Sequence, residues 1–156
     1  MRTAFGVLGC VVALSLFGCS TLTLRPADFS WPVEERIVPD KAGNIQDLRY
    51  QITMNVKPLL FEELKDSNNV TGRAIRFIRD QSGYYFVTAR DFKNVYVFYQ
   101  DDGALKLDTK ISVSAKGLEA PALNQKAPFI QLVNENDEKT PPIYLSKNGI
   151  QEGGTK

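Results

Sequence analysis

Residues 84–113 read YYFVTARDFKNVYVFYQDDGALKLDTKISV, and this stretch decides the fold. Its runs 84–89, 95–100 and 105–113 are rich in β-branched and aromatic residues, which favour extended backbone. The sequence Asp101-Asp102-Gly103 lies between the last two runs, and Asp-Gly in that position is a strong hairpin signal. The stretch therefore predicts three consecutive antiparallel strands, each paired with the next.

Patterns outside this stretch extend the same architecture. Further strands are predicted at 33–38, 48–56, 74–78, 129–133 and 143–145. Between 48 and 56, apolar residues alternate with polar ones, which is typical of a strand with one wet face. Residues 58–65 predict one or two helical turns that begin at Pro58, although an edge strand or a loop fits them as well. Residues 115–127 are predicted to be irregular.

These elements indicate an all-β fold, with at most one short helix near 58–65. The candidates are a single small β-sandwich and a partly open β-barrel, each of about 7–8 antiparallel strands. We expect one β-domain over residues 31–150 and a flexible tail over 151–156.

The composition excludes several kinds of chemistry. The 156 residues include 19 basic and 18 acidic side chains, two cysteines and no histidine. Without histidine the chain has no Ser-His-Asp or Cys-His nucleophile and no imidazole metal ligand. The net charge of +1 gives no reason to expect binding to nucleic acid. The acidic side chains form no pattern of a glycosidase pair or a calcium loop, so we expect no catalytic residue, no metal and no cofactor.

The amino terminus carries a targeting signal. Arg2 is followed by a short apolar stretch at 4–16, as in a secretory signal peptide, and this stretch is shorter than a membrane-spanning helix needs. It ends in Leu16-Phe17-Gly18-Cys19, which resembles the lipobox of bacterial lipoproteins. The resemblance implies cleavage after Gly18, removal of residues 1–18, and acylation of Cys19, for example with palmitate. Residues 19–30 would then be a lipidated tether.

The resemblance also implies a location in the cell. Ser20 and Thr21 follow the cysteine where an aspartate would favour inner-membrane retention. We therefore expect an anchor in the outer membrane, with the protein facing the periplasm. Removal of Cys10 with the signal peptide would leave Cys19 as the sole, acylated cysteine, so disulfides and thiol catalysis are not expected.

Two of the predicted strands lack a polar face. Residues 84–87 and 95–99 are apolar or aromatic on both faces. One interpretation is that a helix, a loop or another sheet covers the second face. Another is that this face binds another envelope protein, because interfaces are enriched in aromatic residues. A third alternative is a cavity for a lipid or other apolar ligand, or an aromatic platform for a sugar. The candidate interaction surface consists of Tyr84, Tyr85, Phe86, Tyr96, Phe98 and Tyr99.

The sequence thus predicts a non-catalytic lipoprotein that serves as a binding or structural component of the envelope. Its expected partners are the membrane, through Cys19, and another envelope protein. The alternative is a carrier or sensor of hydrophobic ligands, with the strands of 77–99 lining a cavity. An enzyme that uses carboxylates on a wall polysaccharide is an outlying third hypothesis.

Overall fold

The computed structural model describes residues 33–68, 70, 72–137 and 139–152 of the chain. Across these residues it has eleven strands and one helix. The helix is α1 (Lys57–Leu64), and the strands are β1 (Glu35–Ile37), β2 (Asn44–Asp47), β3 (Ile52–Asn55), β4 (Ile75–Arg79), β5 (Tyr85–Ala89), β6 (Asn94–Asp101), β7 (Ala104–Ser112), β8 (Pro121–Lys126), β9 (Phe129–Asn134), β10 (Ile143–Ser146) and β11 (Gly149–Gln151). All strand pairs are antiparallel, which confirms the all-β prediction.

The largest sheet has five strands in the order β1-β4-β5-β6-β7. Strands β4 to β7 follow one another in sequence, so the predicted meander is confirmed. Its last hairpin turns at Asp102 and Gly103, whose φ angles are 47° and 75°. Two consecutive positive φ angles are typical of a type I′ turn, which is the turn that Asp-Gly favours.

Strand β5 lies at the centre of the molecule, because every one of its residues is buried. Tyr85, Val87 and Ala89 belong to one hydrophobic core, while Phe86 belongs to another on the opposite face. The missing polar face in this strand therefore has a structural cause: both faces of the five-stranded sheet are covered.

The first core lies between the sheet and a layer made of α1 and the β2–β3 hairpin. Leu60 of α1 and Ile45 of β2 are buried in it, against Phe77 and Tyr85 of the sheet. The predicted helix is confirmed, with Pro58 in its first turn, where the missing amide hydrogen costs nothing.

The second core lies on the other face, under a four-stranded sheet with the order β11-β10-β9-β8. Phe86 and Val97 of the central sheet meet Leu123, Ile130 and Leu145 of this second sheet. The five-stranded sheet is thus the middle layer, and two sheets are packed face to face as in a sandwich.

The strand predicted at 48–56 is wrong in its first half. Residues 48–51 form a turn between β2 and β3, in which Leu48 is 76% exposed and Gln51 has a φ of 54°. The Asp47 carboxylate accepts the backbone N–H of Arg49 at 2.8 Å, which stabilises the reversal of the chain. A side chain that caps its own turn therefore overrides the alternating pattern.

The irregular segment predicted at 115–127 is also wrong, because it contains β8. The burial of Pro121, Ala122 and Leu123 does not alternate, so this strand has no period-two signal. Strand β8 forms because all six of its residues pair with β9 while its apolar end enters the second core. The same sheet gains β11 beyond the last predicted strand, and together these elements raise the strand number above 7–8.

The lipobox, Cys19 and the tether predicted at 19–30 lie outside the described residues. No helix in the described part of the chain is long and apolar enough to cross a bilayer.

Candidate functional site

The structure divides the six aromatic residues of the candidate interaction surface between the core and the outside. Tyr85, Phe86 and Tyr96 are at most 2% exposed, so they contribute to the cores and not to a surface. Tyr84 and Phe98 are partly buried, and Tyr99 is 38% exposed. Successive residues on a strand point to opposite faces, so the six side chains do not form one patch.

The buried tyrosines have structural partners. The Tyr85 ring stacks on Phe77 with 5.2 Å between ring centroids, and the Tyr50 ring meets it edge-on at 5.8 Å. The Tyr96 hydroxyl donates to the Glu63 carboxylate at 2.9 Å. Burial, followed by this carboxylate, raises the pKa of Tyr96, while burial raises the pKa of Tyr85. Both hydroxyls therefore stay protonated at neutral pH.

Glu63 connects α1 to the middle layer. Its carboxylate accepts the backbone N–H of Lys93 at 2.8 Å and the Asn94 side-chain amide at 2.6 Å, besides the Tyr96 hydroxyl. One carboxylate thus satisfies three donors around the start of β6. This cluster fixes the helix in place against the central sheet.

A polar cavity lies elsewhere, where the central sheet meets the second sheet. It encloses about 470 Å³ and is lined mainly by charged side chains. Four arginines, Arg36, Arg73, Arg76 and Arg90, line it together with three acidic residues, Asp91, Glu119 and Glu135. We call this cavity the arginine cleft.

The sheet register brings the arginines together. Arg36 on β1 and Arg76 on β4 are direct partners across the two strands. Ile37 and Ile75, their neighbours in sequence, pack in the first core, so the alternation of the strands turns both arginines toward the second sheet. Arg73 precedes β4 and Arg90 follows β5, which places both at the same end of the sheet.

Arg76 is the best neutralised of the four arginines. It donates to Glu34 at 2.7 Å and to Glu135 at 2.6 Å, and its side chain is only 13% exposed. Glu34 also accepts the backbone N–H of Leu123 in β8 at 2.7 Å, so these charges join the two sheets. Burial raises the pKa of the Glu34 carboxyl, and the bonds from Leu123 and Arg76 offset part of that shift.

Arg73 holds the turn after β5. It donates to the Asp91 carboxylate at 2.9 Å and to the Arg90 carbonyl, whereas its buried Nε has no hydrogen-bond partner among the residues that the structure describes. The same turn is held from the other side by Gly117, where an added Cβ would come within 2.9 Å of the Asp91 carbonyl oxygen. The wall of the cleft is therefore fixed by close packing.

Arg36 and Arg90 carry the least compensated charges. Arg36 is exposed and forms no ion pair with the residues that the structure describes. Arg90 is 74% exposed, and its one ion pair with a described residue is to Asp91, at 4.0 Å. Their guanidinium groups are accessible at the rim, and guanidinium is suited to paired hydrogen bonds with carboxylate or phosphate oxygens.

Sequence reasoning missed this site because its arginines do not form a motif. They are spread from 36 to 90, and only the pairing of β1 with β4 brings the first beside the others. The sequence offers one signal for this site, which is that two of its arginines, Arg36 and Arg76, lie at outward positions of predicted strands. Among the described residues, no group of three His, Cys, Asp or Glu side chains could hold a metal ion.

Comparison of the chain with protein-family models, with curated proteins and with solved structures finds no match. The site must therefore be interpreted from its own chemistry.

Proposed function

We propose that this chain is a lipid-anchored protein of the bacterial cell envelope that acts by binding and not by catalysis. The Leu16-Phe17-Gly18-Cys19 motif supports acylation of Cys19, and Ser20 and Thr21 support an outer-membrane anchor facing the periplasm. The domain would then be held close to the bilayer by a short tether.

The arginine cleft is the observation that carries the binding role. Its volume of about 470 Å³ falls within the range of small-molecule sites, and exposed guanidinium groups lie at its rim. Ion pairs and hydrogen bonds hold its walls, so the site is formed before any ligand arrives. Such a site binds a charged, polar group of a small molecule or of another envelope component.

The alternative role as a carrier of hydrophobic molecules has no supporting observation. The side chains that this role would use, including Tyr85, Phe86 and Tyr96, are packed inside the cores. We therefore do not propose it.

The anchor can be tested by metabolic labelling with radioactive palmitate in a bacterial host. Wild-type protein and the Cys10→Ala variant should incorporate the label and fractionate with membranes, while Cys19→Ala should incorporate none. Cys10→Ala is the matched control because it removes the other cysteine, from the segment that cleavage would discard. Labelling that persists in Cys19→Ala would contradict the assignment.

The binding role can be tested by photo-crosslinking in cells. A photoreactive amino acid in place of Asn136, an exposed residue that lines the cleft and is not one of its arginines, should give one reproducible adduct. The same replacement at Lys126, on an exposed hairpin away from the cleft, should not give that adduct. Identical adduct patterns at the two positions would contradict binding through the cleft.

A further inference from the structure

We propose that the arginine cleft is a binding site for a phosphate group, carried by a soluble phosphate ester or by the headgroup of an anionic lipid. This inference rests on the proposed function, because it names the ligand class of the same cleft.

The arginines of the cleft are unequally compensated by carboxylates. Arg36 and Arg76 face each other directly across β1 and β4, and like charges in that position destabilise a sheet. Glu34 and Glu135 neutralise Arg76, but the described carboxylates make no ion pair with Arg36. A bound anion at the mouth of the cleft would compensate the charge of Arg36.

Several guanidinium groups line one cavity. Arg73 lines the same cleft as Arg36 and Arg90. A phosphate group offers several acceptor oxygens, so it can bind more than one guanidinium group at once, which a single carboxylate does less completely.

The acidic residues of the cleft fit the part of the ligand that carries the phosphate. Glu119 and Glu135 also line the cleft, and Glu135 is half exposed although it binds Arg76. Carboxylates accept hydrogen bonds, so they suit hydroxyl or ammonium groups on the body that carries the phosphate. A glycerol phosphate unit, free or as part of a phospholipid, has this combination.

The cleft would lie within reach of both sources of phosphate, a soluble ester and the headgroup of an anionic lipid. The described chain begins at Val33, three residues before Arg36. With Cys19 anchored, the intervening residues reach at most about 50 Å when fully extended. The cleft would therefore remain near the membrane surface, where lipid headgroups are available.

Calorimetric titration tests the proposal with the full chain in a nonionic detergent. The test compounds are glycerol 3-phosphate, glycerate as its carboxylate counterpart, and micelles of the same detergent that contain phosphatidylglycerol. We expect saturable binding in the first or third titration, and at least tenfold weaker binding in an Arg36→Gln, Arg90→Gln double variant. The Lys126→Gln variant, which loses a positive charge outside the cleft, should bind like wild type.

Each outcome decides between the alternatives. Binding of glycerol 3-phosphate alone indicates a soluble ester, and binding of the micelles, alone or with glycerol 3-phosphate, indicates a lipid headgroup. The proposal is overturned by no binding in either titration, by equal binding of glycerate, or by equal losses in the cleft variant and Lys126→Gln. If phosphate fails while position 136 still gives its specific adduct, the binding role stands and only this ligand class is wrong.

Discussion

At the scale of single residues, Glu34 connects the two sheets beside the cleft, because its carboxylate contacts both of them. One oxygen accepts the Leu123 N–H and the other accepts Arg76, while the side chain is only 17% exposed. A carboxylate in this position connects the wall of the cleft to the second core. Its protonation therefore affects both the stability of the fold and the charge of the site.

The raised pKa of Glu34 predicts a specific pH dependence. Burial raises this pKa above the ordinary value of 4.5, so the folded state binds the proton more tightly than the unfolded state does. The resulting stabilisation is fully present below the unfolded-state pKa and is lost as the pH rises through the folded-state pKa. We expect the free energy of unfolding of wild type, relative to Glu34→Gln, to fall as the pH rises above the ordinary carboxyl pKa of 4.5.

Urea unfolding of the two proteins at several pH values provides this measurement. Asp40 and Asp137 have lowered pKa values, so their contributions change with pH in the opposite direction. Wild type and Glu34→Gln both contain these two residues, so the difference between their free energies of unfolding does not include this contribution. A difference that is flat, or that rises with pH, would contradict the assigned direction.

At the scale of elements, α1 covers the first core with one face and leaves the other in water. Leu60 is fully buried, whereas its neighbour Phe61 is 57% exposed. We expect Leu60→Ala to lower the free energy of unfolding by about 3 kcal/mol, because it leaves a cavity. Phe61→Ala should change it by less than about 0.5 kcal/mol.

Chemical denaturation of both variants checks this prediction, and Phe61→Ala is the matched control on the same helix. Equal losses of stability in the two variants would mean that α1 does not present Leu60 to the core. A loss with Phe61→Ala alone would reverse the assigned faces.

The elements that could be predicted from the sequence are those with local causes. Asp102 and Gly103 specify their own turn, and Pro58 marks the start of α1. Strand β8 was missed because it forms through pairing with β9, and a single segment contains no information about its partner. The long strand at 48–56 was wrong because Asp47 stabilises a turn that apolar alternation does not reveal.

At the scale of the whole molecule, the middle layer should be the most stable part of the fold. All residues of β5 are buried, and the strand is paired on both sides, whereas β11 is paired only with β10. Hydrogen exchange followed by mass spectrometry should therefore find the slowest backbone amides in β5 and much faster ones in β11. Similar rates in the two strands would contradict the layered packing.

The arginine cleft forms only when the sheets of the whole molecule are assembled, which explains why the sequence did not predict it. Arg36 and Arg76 become neighbours only through the β1–β4 register, and Glu135 reaches Arg76 from the second sheet. The aromatic strands gave a more conspicuous signal, but their side chains fill the cores. The most hydrophobic strands of this chain therefore form the cores, whereas the candidate site consists of charged residues that are far apart in the sequence.

The contacts of Glu34 also have a consequence for the order of folding. Its two partners, Arg76 and Leu123, are 42 and 89 residues away along the chain. Closing such long loops costs more conformational entropy than forming the β4–β7 meander, in which each strand follows its partner directly. The meander should therefore belong to the folding nucleus, while the contacts around Glu34 form after the rate-limiting step. Substitutions at Glu34 would then change the unfolding rate more than the folding rate.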